Sequence, residues 1–567
     1  MGEIENVLLQ HPNIQHALVE VQKDSSESKQ LVAYIALKNV DFLDQEGVKI
    51  WLKNWVPDSW IPSSFIVIEK LNFLPNGKID RRSLPKVELT RTTCILPRTP
   101  EEHLLAEIWC ELLQLKQVGI NENFFSLGGN SLSITVAAMH VRKKFGKNIS
   151  LRTFLEQPTI ACLASLLNEQ NPTQNSKLEE VLLPSKIVPQ PGQRIHSSIT
   201  HVLLTGATGF LGTHLLFDLL EGTKATIFCL VRAKNTEDAY RRLIQSFHRY
   251  FPETVVPENR VIVVPGDLSL RNLGIPDQEY QILAQKLDSI YHCGAHVHHV
   301  YDYKTLMAPN VLSVIEILKL ASTGDKLKKV VYISTLSVAE EEGGAIQEKY
   351  AVGAPPSSLR GGYEQTKWMA EKLLAEASRR GIPIKIFRPG IIIGHSLDGG
   401  SSYENDHFLR LIRGCIQMKK APDWEFKLDM LPVDFVSKII TKISLDDSNK
   451  KEVFNLSSQN QMSWSDLICW INTLGHDVKV IPYSEWKEAL VTIEADNALF
   501  PLLSLYLGEA VNLEEMLEKK IDMRNTLDAL VALQMSMPLI DTCALHANFK
   551  QLFIPFFAKK EEFSNET

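Results

Sequence analysis

The chain has 567 residues, of which 44% are hydrophobic and 22% charged, and a formal net charge of −7. That length is too great for one core and predicts three or four domains, while the mild acidity argues against nucleic acid as a main partner. No apolar run approaches the roughly 20 residues that cross a bilayer. The acidic start, Met1-Gly2-Glu3-Ile4-Glu5, is no signal peptide, and eight scattered cysteines without paired spacing read as reduced thiols of a cytoplasmic protein.

In chain order, residues 1–90 alternate short strands (17–21, 31–36) with an amphipathic helical piece (48–55), a small α+β subdomain. Pro75-Asn76-Gly77 is turn chemistry that presents Lys78 at a loop tip. After a short linker, Thr99-Pro100-Glu101-Glu102 places an N-cap, a first-turn proline and a glutamate three residues on. Leu105, Ile108, Trp109 and Leu112 follow on one helical face. Further helices are expected to about Phe145, around Phe154 and over 160–167, making a four-helix bundle of residues 99–168. The second helix is preceded by Phe124-Phe125-Ser126-Leu127-Gly128-Gly129-Asn130-Ser131. Ser131 is an N-cap by its neighbours alone. A hydroxyl at an exposed helix start is also open to a modifying enzyme, and a phosphodiester there gains from the helix dipole. Residues 169–198 are polar and rich in Pro, Gln and Ser, and read as a linker that lets the preceding domain move.

From about 199, strands near 202, 226, 261, 289, 330 and 384 alternate with helices, predicting a parallel, doubly wound sheet. The first strand ends in Thr205-Gly206-Ala207-Thr208-Gly209-Phe210-Leu211-Gly212. The glycines permit a tight turn, a close approach of phosphate to backbone and a helix packed on its strand, with free N–H groups at the helix start. The second strand ends in Arg232, with Lys234 beyond, where an NAD enzyme often carries an acid. These cations suit a 2′-phosphate, hence NADPH. The fifth ends in Ser334-Thr335, and Tyr363 and Lys367 then share one helix face. That spacing lets an ammonium lower the phenol's pKa while reaching a ribose. Four histidines at 292, 296, 298 and 299 suggest a metal site, but no carboxylate or cysteine framework accompanies them, and no metal is expected.

Several motifs carry a family resemblance: Thr205 to Gly212, Leu230-Val231-Arg232-Ala233, Gly266-Asp267-Leu268, Ser334 to Val338, Gly362-Tyr363 with Lys367, Arg388-Pro389-Gly390 and Pro432-Val433-Asp434. With them, residues from about 199 resemble an extended short-chain dehydrogenase/reductase, more narrowly the thioester reductase domain that ends some nonribosomal peptide synthetases. The stretch around Ser131 is similar to the modification site of peptidyl carrier proteins. Gly2 to Glu5 and Phe73 to Arg81 resemble motifs of the C-terminal subdomain of adenylation domains. In that family the lysine matching Lys78 contacts an acyl-adenylate. No nucleotide-binding part precedes it here, so no adenylation activity is expected.

The resemblance implies reductive release of a thioester carried on 4′-phosphopantetheine at Ser131, giving an aldehyde or, after a second hydride, an alcohol. Thr335, Tyr363 and Lys367 would be catalytic. NADPH would be held by Thr205, Gly206, Thr208, Gly209, Phe210, Leu211, Gly212, Arg232, Lys234, Asp267, Leu268, Gly294, Ala295, Tyr363, Lys367 and Pro389, with Asp267 on the adenine side. Cys293 stands where related reductases often place Asn. The NADPH-binding core is expected over about 199–395, and a mostly helical part, about 396–560, covers the substrate. Expected partners are a phosphopantetheinyl transferase and upstream adenylation and condensation domains, with no nucleic acid or membrane. The alternatives are a non-catalytic carrier and docking module with a decayed reductase, or an extended-family epimerase or dehydratase.

Overall fold

The computed structural model describes residues 2–9, 14–23, 29–38, 64–68, 95–113, 115–124, 127–129, 131–145 and 158–168. It also describes, with short interruptions, 180–507 and 520–539, and a few single positions elsewhere. Two compact units divide the chain, Met1–Gln174 and Asn175–Thr567. Among the described residues no helix is long and apolar enough to cross a membrane.

The first unit opens with a helix, Gly2–Leu9, and a three-stranded sheet. Ile14–Lys23 runs antiparallel to Lys29–Leu37, which takes Ser64–Val67 parallel on its other edge. Both long strands extend beyond their predicted cores. Ile4, Leu8, Val19, Ala33, Ile35 and Phe65 are buried together. The stretch around Lys78 lies outside the described residues. A second core follows under the helices Pro100–Leu113, Ser131–Phe145 and Ile160–Asn168. The first of these starts as the sequence predicts. Glu102 N donates to Thr99 Oγ1 at 3.2 Å, and Thr99 N donates back to Glu102 Oε2 at 3.3 Å. Trp109 meets Phe124 edge-on at 4.7 Å, and Phe124 in turn meets Phe154. Of the helix expected around Phe154, only that residue is described.

The second unit is built on seven parallel strands: β1 (His201–Thr205), β2 (Thr226–Val231), β3 (Val261–Pro265), β4 (Ser289–His292), β5 (Lys329–Ile333), β6 (Ile384–Pro389) and β7 (Val453–Leu456). Their order across the sheet is 7-6-5-4-1-2-3, a doubly wound topology whose direction of winding reverses between β1 and β4. Both faces are covered, one by a core containing Leu203, Ile290 and Trp368, the other by one containing Leu204, Leu215 and Phe454. Three helices pack beside these strands and matter for the site: α1 (Phe210–Gly222), α2 (Gly362–Arg379) and α3 (Val433–Leu445).

Three expectations need correction. The six predicted strands are present, but β7 is a seventh, in the region where the sheet pattern was expected to lapse. The core does not end near 395 either: Val436, Ile439, Ile440, Ala529 and Leu530 complete the same apolar layer as α1. The part expected to cover the substrate packs as a separate cluster around Trp424, Trp464, Trp486 and Tyr506, threaded between returns to the core. Finally, the expected linker 169–198 is docked over its second half. Leu183 and Ile187 are buried in the main core. The Arg380 guanidinium donates to the carbonyls of Leu183, Pro184 and Ile187 at 3.1, 2.7 and 3.2 Å. Gln193 Nε2 donates to Ser322 O and Gly324 O, and Lys372 pairs with Glu180 at 2.9 Å. Apolar anchors at 183 and 187 override the polar composition around them.

Candidate active site

β1 and β4 end side by side at the reversal. Gly206 follows β1 at φ 77°, and a Cβ there would lie 2.7 Å from Gly294 N. A Cβ on Gly212 would lie 1.9 Å from Gly206 O. Both positions therefore exclude any side chain, the first for conformation and the second for helix-to-turn packing. α1 starts behind Gly209, whose position has no side-chain cap, so its first-turn N–H groups are available to an anion. Thr205 is different. It is fully buried, its Oγ1 accepts from Gly294 N at 3.0 Å, and it pairs with His292 Nδ1 at 2.8 Å. Its hydroxyl ties the two strand ends together beneath the turn. Leu268 rests against Gly294, 2.8 Å from where a Cβ would be. Asp267 closes its own turn, its Oδ1 accepting from Ser269 N at 2.8 Å. Phe210 packs its ring on His214 and Tyr250, while Thr208 and Ala295 are half-buried on the two turns.

At the end of β2, Arg232 and Lys234 are exposed. The Arg242 guanidinium donates to Arg232 O, so a third cation joins them. Residue 242 belongs to the helix Thr236–Tyr250. Its helical position turns it back toward the strand end, a signal that the reading of β2 alone could not contain. Partial burial, with the charge of Arg232, holds His296 below its usual range.

On the other side stand β5 and α2. A Cβ on Gly362 would lie 2.4 Å from Tyr301 O, so α2 begins pressed on that backbone and delivers Tyr363 in its first turn. Lys367 is buried, donates to Ile333 O at 2.7 Å, and sits 4.6 Å over the Tyr332 ring and 6.0 Å from the Tyr363 centroid. Burial lowers the Lys367 ammonium to about 8 and pushes the Tyr363 phenol well up. The expected depression of the phenol by the ammonium is thus not what the site shows: desolvation of both groups dominates. Cys293 is within electrostatic range of Lys367, and burial raises its thiol to about 11. One turn beyond Lys367, Glu371 accepts from Ser334 Oγ at 2.5 Å and from Arg388 Nε at 2.8 Å, with both charged side chains fully buried. Helix α2 therefore grips the end of β5 at Ile333 and Ser334, immediately before Thr335. Pro389 ends β6 and pairs with Leu456.

Three of the four histidines are described, and His299 lies outside the described residues. His292 is locked to Thr205, His296 has its backbone N and O bound by Asn310, and His298 stacks on Tyr301 at 3.6 Å.

A glycine turn at the reversal of a parallel sheet defines a dinucleotide-binding fold, and the Tyr/Lys pair on the helix after β5 fits the short-chain dehydrogenase/reductase pattern. Comparison with known proteins narrows this. The family described as "Male sterility protein", an NAD-binding domain, matches residues 204–440, and "Phosphopantetheine attachment site" matches residues 103–167. A linear gramicidin synthase polypeptide of Brevibacillus parabrevis is 35% identical over 532 residues, 89% of this chain but 10% of that protein. The terminal R domain of the myxalamid PKS-NRPS pathway is 33% identical and superposes with TM-score 0.61 over 65% of this chain and 95% of its own. A thiolation-reductase di-domain from an archaeal nonribosomal peptide synthetase, 24% identical, shares the fold over 83% of this chain and all of its own, TM-score 0.62. The chain belongs to the terminal reductase domains of nonribosomal peptide synthetases, joined to a carrier domain.

Proposed function

We propose that this chain releases an acyl or peptidyl group from phosphopantetheine on Ser131 by NADPH-dependent reduction of the thioester. The observation that carries the reading is that Lys367, on α2 beside Tyr363, donates to Ile333 O two residues before Thr335, while both α2 groups lie within electrostatic range of Cys293, whose backbone abuts the side-chain-free turn at Gly206. That turn fits a dinucleotide because two positions where a Cβ would collide leave backbone N–H groups open at a helix start. Residues 206–212 would hold the pyrophosphate, and Arg232, Lys234 and Arg242 the 2′-phosphate. Asp267 and Leu268 would lie toward the adenine, and Gly294, Ala295 and Pro389 toward the nicotinamide side.

When bound, NADPH supplies hydride to the thioester carbonyl carbon. Thr335 donates a hydrogen bond to the carbonyl oxygen as its charge grows. Tyr363 keeps its proton because burial raises its phenol, and gives it to the same oxygen. Lys367, held on Ile333 O, would hold the ribose and keep its positive charge near the Tyr363 ring. Collapse of the tetrahedral hemithioacetal breaks the C–S bond, leaving an aldehyde and the free pantetheine thiol. The helix Ser131–Phe145 starts at the residue to be modified, and a phosphopantetheinyl transferase is the partner this requires.

The test loads the full chain with an acyl-pantetheine from the matching coenzyme A thioester and a phosphopantetheinyl transferase. NADPH absorbance and the mass of the released product are then followed. Aldehyde or alcohol formed with matching NADPH loss is the expected result. Release of free acid without NADPH loss would overturn the reading, and a Ser131→Ala chain that still gains mass would overturn the attachment site.

A further inference from the structure

We infer that Ser337 is a positioning residue that orients the Thr335 hydroxyl for donation to the carbonyl. This rests on the reductase reading above. Thr335 has one proton to give and two lone pairs. Its Oγ1 lies 3.1 Å from Ser337 Oγ, with either atom able to donate, and accepts from Ser337 N at 3.4 Å. Left alone, the two hydroxyls could face each other in either sense. If Thr335 donated to Ser337, the proton needed by the carbonyl would point the wrong way.

A thioester carbonyl is a pure acceptor. With one in front of Thr335, a single arrangement satisfies every group: Ser337 Oγ–H donates to Thr335, and Thr335 Oγ–H donates to the carbonyl. The Ser337 amide already sits on the acceptor side of Thr335, which favours the same sense. As the carbonyl oxygen takes on charge, the two hydroxyl bonds polarise each other, so the donor behind Thr335 matters most in the transition state.

The local fold holds this pair still. Residues Leu336–Val338 form one 3₁₀ turn, with Val338 N donating to Thr335 O at 3.4 Å. The two residues flanking Ser337 are buried in different clusters, Leu336 with Ile346 and Ile521, Val338 in the main core. Ser337, between them, is half-buried, as is Thr335. From behind, Glu371 holds Ser334. Thr335 thus has its backbone fixed by one neighbour and its hydroxyl rotor set by another.

The test compares Ser337→Ala, Ser337→Val and Ser337→Thr with Thr335→Val and the Thr335→Val/Ser337→Ala double variant in the full, phosphopantetheine-bearing chain. Turnover uses the pantetheine thioester, from a set of aminoacyl and short fatty-acyl forms, that the unaltered chain reduces fastest. Ser337→Ala should lower kcat roughly tenfold, the scale of one hydrogen bond, with KM and NADPH affinity within about twofold. Ser337→Thr keeps the hydroxyl and should retain most of kcat. Ser337→Val has the volume of Thr without the hydroxyl and should match Ala, which separates hydrogen bonding from packing even if Ala weakens the fold. Against Thr335→Val, the added Ser337→Ala should cost nothing more. Losses that multiply in the double variant, or a Val variant as active as Thr, overturn the inference and leave the reductase reading standing. An unaltered chain that reduces no thioester of the set, or a fully active Thr335→Val, overturns that reading and this inference with it.

Discussion

Around Gly206 the fold is decided by backbone: two glycines without room for a Cβ, strand ends tied by Thr205, and a helix start left open. In the cover it is decided by side chains. Trp424 lies 5.2 Å from Trp464, 5.7 Å from Trp486 and 6.4 Å from Tyr506, centroid to centroid, and Trp464 Nε1 donates to Pro422 O. The first region tolerates almost no substitution at a few positions. The second depends on large apolar areas that other residues of similar bulk could supply. In the proposed function a cofactor of fixed shape would meet the first kind of surface, and the acyl group would meet the second.

Substitutions on either side put this contrast at risk. Tyr363→Phe removes the proposed proton donor and should lower turnover roughly 10²–10⁴-fold with NADPH affinity kept, read by single-turnover NADPH oxidation. Trp464→Ala should destabilise the chain by about 3–5 kcal/mol in denaturant unfolding. NADPH affinity, measured by fluorescence titration, should hold within about twofold, and its loss would undo the separation of cover from core. Gly212→Ala should do the converse. With its new Cβ driven onto Gly206 O, it should cost about 1–3 kcal/mol and fall chiefly on NADPH binding. Arg232→Ala should weaken NADPH about tenfold or more and leave NADH nearly untouched; equal losses would make Arg232 structural. The smallest effect is in pH. Lys367, at about 8 before cofactor binds, is charged below that value and neutral above it. NADPH affinity should therefore fall as pH rises, by roughly fourfold between pH 7 and 8.5, and the fall should vanish in Lys367→Met.

The same contrast explains which parts could be read from sequence. Glycine spacing, the Tyr363/Lys367 interval and the Thr99–Glu102 capping box are local patterns with local causes, and each stands where it was expected. β7 escapes notice because Val453-Phe454-Asn455-Leu456 is four residues, buried throughout, with neither alternation nor a glycine turn to mark it. Arg242 and Glu371 escape it because their partners, Arg232 O and Ser334 Oγ, lie on other elements of the chain. The ionisation of Tyr363 departs from expectation because burial is a property of the fold, and spacing on a helix does not contain it. The cover's path, leaving and re-entering the core, depends on contacts between residues far apart in the chain, which periodicity does not report.

The docked stretch before β1 sets a leash length. The carrier's last described helix ends at Asn168, and the chain is held again from Glu180 onward, first at Lys372 in the middle of α2 and then at Arg380 just past its end. Only eleven residues lie between, twelve steps that span at most about 40–43 Å. Tyr363 stands in the first turn of α2, about 25 Å along the helix axis from Arg380 but only about 14 Å from Lys372. A thioester carried on Ser131 would have to reach Tyr363 within the length that this short run of chain allows. Lengthening or shortening residues 169–179 should thus change the rate of self-delivery while leaving reduction of a free pantetheine thioester alone. By the same geometry, a reductase cut at residue 195 would lose Leu183 and Ile187 from its core, so a working reductase fragment has to begin before the pin.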